Sequence, residues 1–176
     1  MTVFKFATID SLTEKVAAWN ASNLVQLEVG DFNPIQTYPT DGGFDVRSSN
    51  LEPIIFTPFE YKKIPLGIKT LIPSNHYLDI RPRSSTFINR KLHPLVGLID
   101  EGFEHELQFV AQFIPVQGVL NASCVVNFGD RIAQLVPHKR LDCEFSFLHE
   151  KEITAEYSMR VNLRDGGFGS SDKVMR

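Results

Sequence analysis

Residues 61–80, YKKIPLGIKTLIPSNHYLDI, decide how the rest of the chain is read. Three short runs rich in β-branched and aromatic residues, 61–64, 67–72 and 77–80, are separated by Pro65, Pro73 and Asn75. Runs this short, closed by residues that stop a helix, predict strands joined by turns. Working outward, 107–114, 124–128 and 132–136 repeat the pattern between further Pro, Gly, Asn or Asp breakers. Ten prolines spread along the chain leave little room for long helices. The expected fold is therefore all-β, a jelly-roll-like β-sandwich or barrel rather than an α/β sheet.

One helix is predicted near the start, where Asp10 or Ser11 can cap, Glu14 stands three after Ser11, and Leu12, Val16 and Trp19 share a face. Residues 138–163 mix charge with aromatics and suit either a short helix or an edge strand. The expected organisation is an N-terminal helical extension over 1–23, a β domain over 24–160 and a glycine-rich C-terminal arm over 161–176. The arm, LRDGGFGSSDKVMR from 163, would be left as disordered by composition alone, yet it carries Phe168.

Composition narrows the function classes. At 176 residues and 43% hydrophobic content the chain can bury one good core. A net charge of −3, from 18 basic and 21 acidic residues well mixed, offers no single-sign field for a nucleic-acid backbone, so no direct nucleic-acid partner is expected. Apolar runs such as 95–99 fall far short of the roughly 20 residues a membrane helix needs, so no membrane partner is expected either. Acidic residues in MTVFKFATIDSLTEKVAAWN argue against a signal peptide. Cys124 and Cys143 suggest neither a disulfide framework nor a zinc site. The expected compartment is the cytoplasm, a host's if the source is viral.

Four internal stretches could carry chemistry. Asp41-Gly42-Gly43-Phe44-Asp45-Val46 is a tight turn that delivers a carboxylate at the mouth of a strand. Arg81-Pro82-Arg83-Ser84-Ser85-Thr86 reads equally as a phosphate cradle of guanidinium, hydroxyl and backbone N–H groups, or as an exposed polar loop. Val96 to Phe103 reads as a β-hairpin carrying an acid, Asp100, either solvated or held as a general base. In the apolar run of 128–136, Gln134 must satisfy its amide within the core or reach a ligand.

With the C-terminal Gly166-Gly167-Phe168-Gly169-Ser170-Ser171, these stretches resemble, in order, the five motifs of the homotrimeric dUTP pyrophosphatase (dUTPase) family. Gly43-Phe44-Asp45-Val46 is similar to the first, Pro82-Arg83-Ser84-Ser85 to the second, and Gly97-Leu98-Ile99-Asp100 with Phe103 to the third. Gly129-Asp130-Arg131-Ile132-Ala133-Gln134-Leu135 is similar to the fourth. The seventeen-residue step from Arg83 to Asp100 also matches the family's usual spacing. Phe103 stands where tyrosine is usual, His105 where glycine is usual, and Arg164 lies four rather than five residues before Phe168.

The resemblance implies a dUTPase-type jelly roll with a flexible arm, and conversion of dUTP to dUMP and pyrophosphate by Mg²⁺-assisted, in-line water attack on the α-phosphorus. Asp100 would be the catalytic base. The backbone from Gly97 through Ile99 to Phe103 would read uracil, and the Phe103 ring would pack on deoxyribose and reject a 2′-hydroxyl. Arg83, Ser84, Ser85 and Gln134 would hold the phosphates, with Asp45 contacting the magnesium through water. Phe168 would stack on the base, Gly169 and Ser170 would approach the phosphates, and Arg164 would pair with the γ-phosphate. Each site would be shared among three chains of a homotrimer. Asp130 and Arg131 are expected to be structural, as an internal pair or a trimer contact. The alternatives are a dCTP deaminase-like enzyme, alone or combined with pyrophosphate release, and a dUTPase-like trimer that regulates by binding nucleotide or protein. Deamination would need a glutamate ten residues beyond Asp100, where the chain has Val110.

Overall fold

The computed structural model describes residues 2–116 and 122–159. Two units are distinguished, Met1–Leu141 and Asp142–Arg176. The first begins with β1 (Lys5–Thr8), α1 (Ser11–Ser22) and a 3-10 turn at Val29–Phe32. There follow β2 (Phe44–Arg47), β3 (Ile54–Phe56), β4 (Tyr61–Pro65), β5 (Ile68–Leu71) and β6 (His76–Pro82). A short α2 (Ser84–Ile88) precedes β7 (Leu92–Pro94), β8 (Gly97–Ile99), β9 (Gln108–Phe113), β10 (Cys124–Val126) and β11 (Arg131–Lys139).

The short runs of 61–80 thus become β4, β5 and β6, and the fold is built mainly of strands as their breakers require. One sheet has the order β2-β11-β6-β8 and another β4-β9-β7, while β1 pairs with β5 and β10 with β3. Every pairing is antiparallel. Side chains alternate across the strands, so Phe109, Ala111 and Phe113 of β9 enter the core while Gln108 stays exposed. Phe56, Ile64, Leu78 and Leu135 join them in one buried cluster, each contributing about 1.5–3 kcal/mol of hydrophobic burial.

A second cluster docks the N-terminal residues on this framework. Leu12 and Val16 of α1 are buried with Phe32 and Phe128. The Phe128 ring lies 5.0 Å from Phe32 and 5.5 Å from Trp19. The strand expected over 124–128 therefore stops at Val126, because a turn from Asn127 to Asp130 delivers Phe128 to this cluster instead. The expected side-chain cap of α1 is not made; the Leu12 amide donates to the Ile9 carbonyl at 3.0 Å in its place. The first 23 residues are also not purely helical, since β1 pairs with β5 from Lys5↔Leu71 to Thr8↔Ile68.

The hairpin expected over 96–103 is corrected by the pairing. β8 pairs with β6, in the register Leu78↔Ile99 and Ile80↔Gly97, and not with the strand that follows it. Asp100 to Phe103 is a turn, closed by the Phe103 amide on the Asp100 carbonyl at 3.1 Å, that passes the chain to the other sheet. The reason is Leu107, which is fully buried and whose amide donates to the Ile68 carbonyl at 2.9 Å. Reaching that core position carries the chain away from β8.

In the second unit, α3 spans Glu150–Ser158. The Glu152 carboxylate accepts from the His149 amide at 2.7 Å, supplying one partner that a helix start lacks. The open reading of 138–163 resolves to a helix there. Arg164, Phe168, Gly169, Ser170 and the rest of the arm lie outside the described residues. Among the described residues no helix is long and apolar enough to cross a membrane.

Candidate active site

The site grows from the position of β11 between β2 and β6. Gln134 lies opposite Asp45 of β2 on one side and Arg81 of β6 on the other. β6 ends at Pro82, so Arg83 stands at the start of α2 and turns back over β2, placing its Nε 2.9 Å from Asp45 Oδ1. The result is a polar cleft of about 360 Å³ whose lining includes Gly43, Asp45, Arg83, Ser84 and Gln134. Ser85 occupies the next position of α2 and is not among its lining residues.

The cleft brings charges of both signs together. Asp45 is mostly buried and faces two guanidinium groups, with Arg131 Nη1 3.8 Å from its other oxygen. Arg47 lies near by, its pKa lowered first by partial burial and then by the Arg131 charge. With Asp41 also in the lining, these carboxylates and guanidinium groups come close to balance, and the Arg83 guanidinium, the Ser84 hydroxyl and the Gln134 amide are the donors that could meet phosphate oxygens. Arg81 does not contribute, because it is drawn to Asp79 two residues back on the same face of β6, at 2.6 Å. Asp130 and Arg131 do not pair with each other: Asp130 binds Arg90 at 2.9 Å, and Arg131 turns to Asp45.

Gly43 and Gln134 fit each other closely. The Gln134 Nε2 donates to the Pro82 carbonyl at 3.0 Å, which aims the amide oxygen towards Gly43. A Cβ at position 43 would lie 2.5 Å from that oxygen. Gly43 thus leaves room for the Gln134 amide, which a Cβ there would displace, and no unusual φ is involved.

Asp100 stands elsewhere. It is exposed, and its carboxylate has no hydrogen-bond or ion-pair partner among the described residues. Phe103 packs against the main core and meets His105 edge-on, ring centroids 5.7 Å apart. The β6–β8 register continued by one residue sets Asp100 beside Tyr77, six residues from Arg83 along the strand. At about 3.3 Å per residue, Asp100 and the Arg83 end of the cleft in one chain are roughly 20 Å apart.

A dUTPase family model matches residues 32–171. The chain belongs to the dUTPase family. A relative from Finegoldia magna, a deoxyuridine 5′-triphosphate nucleotidohydrolase, is 34% identical over 141 residues, covering 78% of this chain and 90% of its own. Another from Chlamydia pneumoniae, of the same name, is 28% identical and covers 82% and 93%. Among solved structures, a variant dUTPase of Staphylococcus bacteriophage 80alpha with dUpNHpp superposes with a TM-score of 0.71 at 19% identity, covering 97% of this chain and 99% of its own. The dUTPase of phage phi11 of S. aureus, at 18% identity over 84% and 97%, gives 0.64. These likenesses show the dUTPase fold.

Within the dUTPase fold, the cleft also includes Tyr38, which the sequence did not single out, and Asp41, which stood in a stretch singled out but was given no role of its own. Tyr38 and Asp41 line it, in a turn where the Tyr38 amide donates to the Asp41 carboxylate at 2.9 Å. Ile35 brings them there by exchanging both backbone hydrogen bonds with Asp45, at 2.8 and 3.0 Å. The Pro39-Thr40-Asp41-Gly42 cluster signals the turn, but nothing in it signals that the turn closes over β2. Among the described residues no group of three or more His, Cys, Asp or Glu could cage a metal ion. Asp41 and Asp45 are the carboxylates in the cleft, a donor set that fits a magnesium ion held mainly by phosphate oxygens and water.

Proposed function

We propose that this chain hydrolyses dUTP to dUMP and pyrophosphate. The observation that carries the reading is the cleft, in which the Arg83 guanidinium, the Ser84 hydroxyl and the Gln134 amide converge beside Asp45, in a member of the dUTPase family. Arg83, Ser84 and the Gln134 amide hold the phosphate chain, and Ser85 supports the second motif from the next position of α2. Asp45 steers Arg83 and contacts the water shell of a phosphate-bound Mg²⁺. That ion, when bound, would neutralise charge developing on the phosphate oxygens.

Asp100 accepts the proton of the attacking water. β8 is the outer strand of its sheet, so backbone groups on its far edge are free within the sheet to meet a uracil edge from Gly97 to Ile99. The Phe103 ring packs on the sugar and excludes a 2′-hydroxyl. The separation of roughly 20 Å between Asp100 and Arg83 is too large for one water and one phosphorus to span. That distance supports a homotrimer in which a second copy brings its Asp100 turn to the cleft. A third copy contributes Arg164, Phe168, Gly169 and Ser170, closing the site against water. The described cysteines, buried Cys124 and exposed Cys143, are both unpaired, in keeping with a cytoplasmic protein.

The test is purified protein with Mg²⁺ and, separately, dUTP, dCTP, dTTP and UTP, following pyrophosphate and ammonia, with sedimentation for the assembly. Pyrophosphate from dUTP alone is expected, and a chelator should suppress it. Ammonia from dCTP would overturn the reaction, and an active monomer would overturn the shared site.

A further inference from the structure

The turn that carries Asp100 and Phe103 is anchored by a side chain outside the site just described. Glu106 Oε1 accepts two hydrogen bonds, from the Gly67 amide at 2.8 Å and from the Ser49 hydroxyl at 3.2 Å. Ser49 is fully buried, and its own amide donates to the Pro65 carbonyl at 2.8 Å. Gly67 has φ +69°, and a Cβ there would meet Ser49 Cβ at 2.9 Å and Leu12 Cδ1 at 3.2 Å. The amide that Glu106 receives is thus set by a backbone conformation and a close approach suited to glycine.

Glu106 makes no ion pair among the described residues. A half-buried carboxylate held by neutral donors is a weak source of stability, since its desolvation is repaid by no counter-charge. It is a strong source of geometry. Its neighbour Leu107 is gripped at the backbone, its amide on Ile68 and its carbonyl receiving the Leu66 amide at 3.0 Å. Three residues upstream, the Phe103 amide closes the turn on Asp100. Ser49 lies two residues past the end of β2, the strand that carries Asp45, so one carboxylate joins the segment leaving that strand to the base of the Asp100 turn.

We propose that Glu106 is a positioning residue for Asp100 and Phe103, acting through its hydrogen bonds to Gly67 and Ser49. The inference rests on the proposed dUTP hydrolysis. Its loss lets the turn shift against β8, which misplaces the base and loosens the sugar contact together.

The experiment compares Glu106→Ala, Glu106→Gln and Ser49→Ala with wild type as purified full-length assemblies, measuring kcat and KM for dUTP and for UTP alongside Tm. Glu106→Ala should lower kcat about tenfold or more, with KM changing less, and lower the dUTP-over-UTP preference about tenfold. Glu106→Gln keeps an acceptor oxygen and should stay within about threefold of wild type on both. A purely structural role would change Tm and yield while leaving the preference intact. The inference is overturned if Glu106→Ala folds with kcat and preference unchanged, or if Glu106→Gln is as impaired as Glu106→Ala. Should Glu106→Ala not fold, Ser49→Ala, which removes one donor, decides: a fall of about threefold in preference supports the inference and no change overturns it. A wild type inert towards dUTP removes the proposed function itself, whereas an active wild type with indifferent variants removes Glu106 alone.

Discussion

Gly43→Ala tests the cleft with one methyl group. Gly43 carries no left-handed φ, so alanine brings no backbone strain, and its neighbour is the end of a flexible side chain. The new Cβ would sit 2.5 Å from Gln134 Oε1 and 3.2 Å from its Cδ, so the amide must rotate away. Rotation gives up the 3.0 Å bond to the Pro82 carbonyl, costing about 0.5–1.5 kcal/mol, or roughly 1–6 °C in Tm for a chain of this size. It also removes the amide from the phosphate chain. A hydrogen bond to a charged group contributes about 1.5–3 kcal/mol, so kcat/KM for dUTP should fall about 10- to 150-fold. A double-mutant cycle reads the cause: if the methyl acts through Gln134, then Gly43→Ala combined with Gln134→Ala is no worse than Gln134→Ala alone. Additive losses, or a Gly43→Ala enzyme with unchanged kcat/KM, would refute the reasoning.

Asp100→Asn should abolish turnover while nucleotide binding, followed by calorimetry, is largely retained; persistent turnover would remove Asp100 as the base. Asp100→Asn and Arg83→Ala chains, each inactive alone, should regain measurable activity when refolded together, because mixed trimers assemble some sites with both groups intact; no recovery would count against sharing. Phe128→Ala opens a hole between Trp19 and Phe32 and should cost about 3–5 kcal/mol, read as a lowered unfolding midpoint with an altered emission from the chain's one tryptophan. Burial raises the Cys124 thiol pKa, so at a given pH less of it is thiolate; a disulfide reagent should titrate exposed Cys143 fast and Cys124 slowly, with Cys124 speeding up as pH rises. Two equally fast thiols would show that the β10 region opens readily.

Strands were readable where turn residues bracket short apolar runs: Pro65 ends β4 and Gly67 precedes β5, and Pro73 to Asn75 part β5 from β6. Such breaks follow from local backbone chemistry and need no knowledge of partners. The turn after β8 was equally readable as a turn, but not its destination, since hairpin and sheet-to-sheet crossing begin with the same residues. Likewise Arg81 and Arg83 look alike in sequence. Asp79 on the same strand face claims the first, and β2, brought alongside by β11, claims the second. Tyr38 was missed, and Asp41 left without a role, because only the bridge between Ile35 and Asp45 folds their turn over the cleft.

By itself, then, the sequence determined an all-β chain with one early helix, and it nominated Asp45, Arg83, Ser84, Asp100 and Gln134 by residue type and order. The tertiary structure decided which of these meet. Antiparallel register sets Gln134 beside Asp45 across 89 positions of chain, while the seventeen positions from Arg83 to Asp100 double back along β6 and separate them. Hydrogen-bonded pairing, not distance along the chain, sets proximity in a sheet, and no local propensity encodes it.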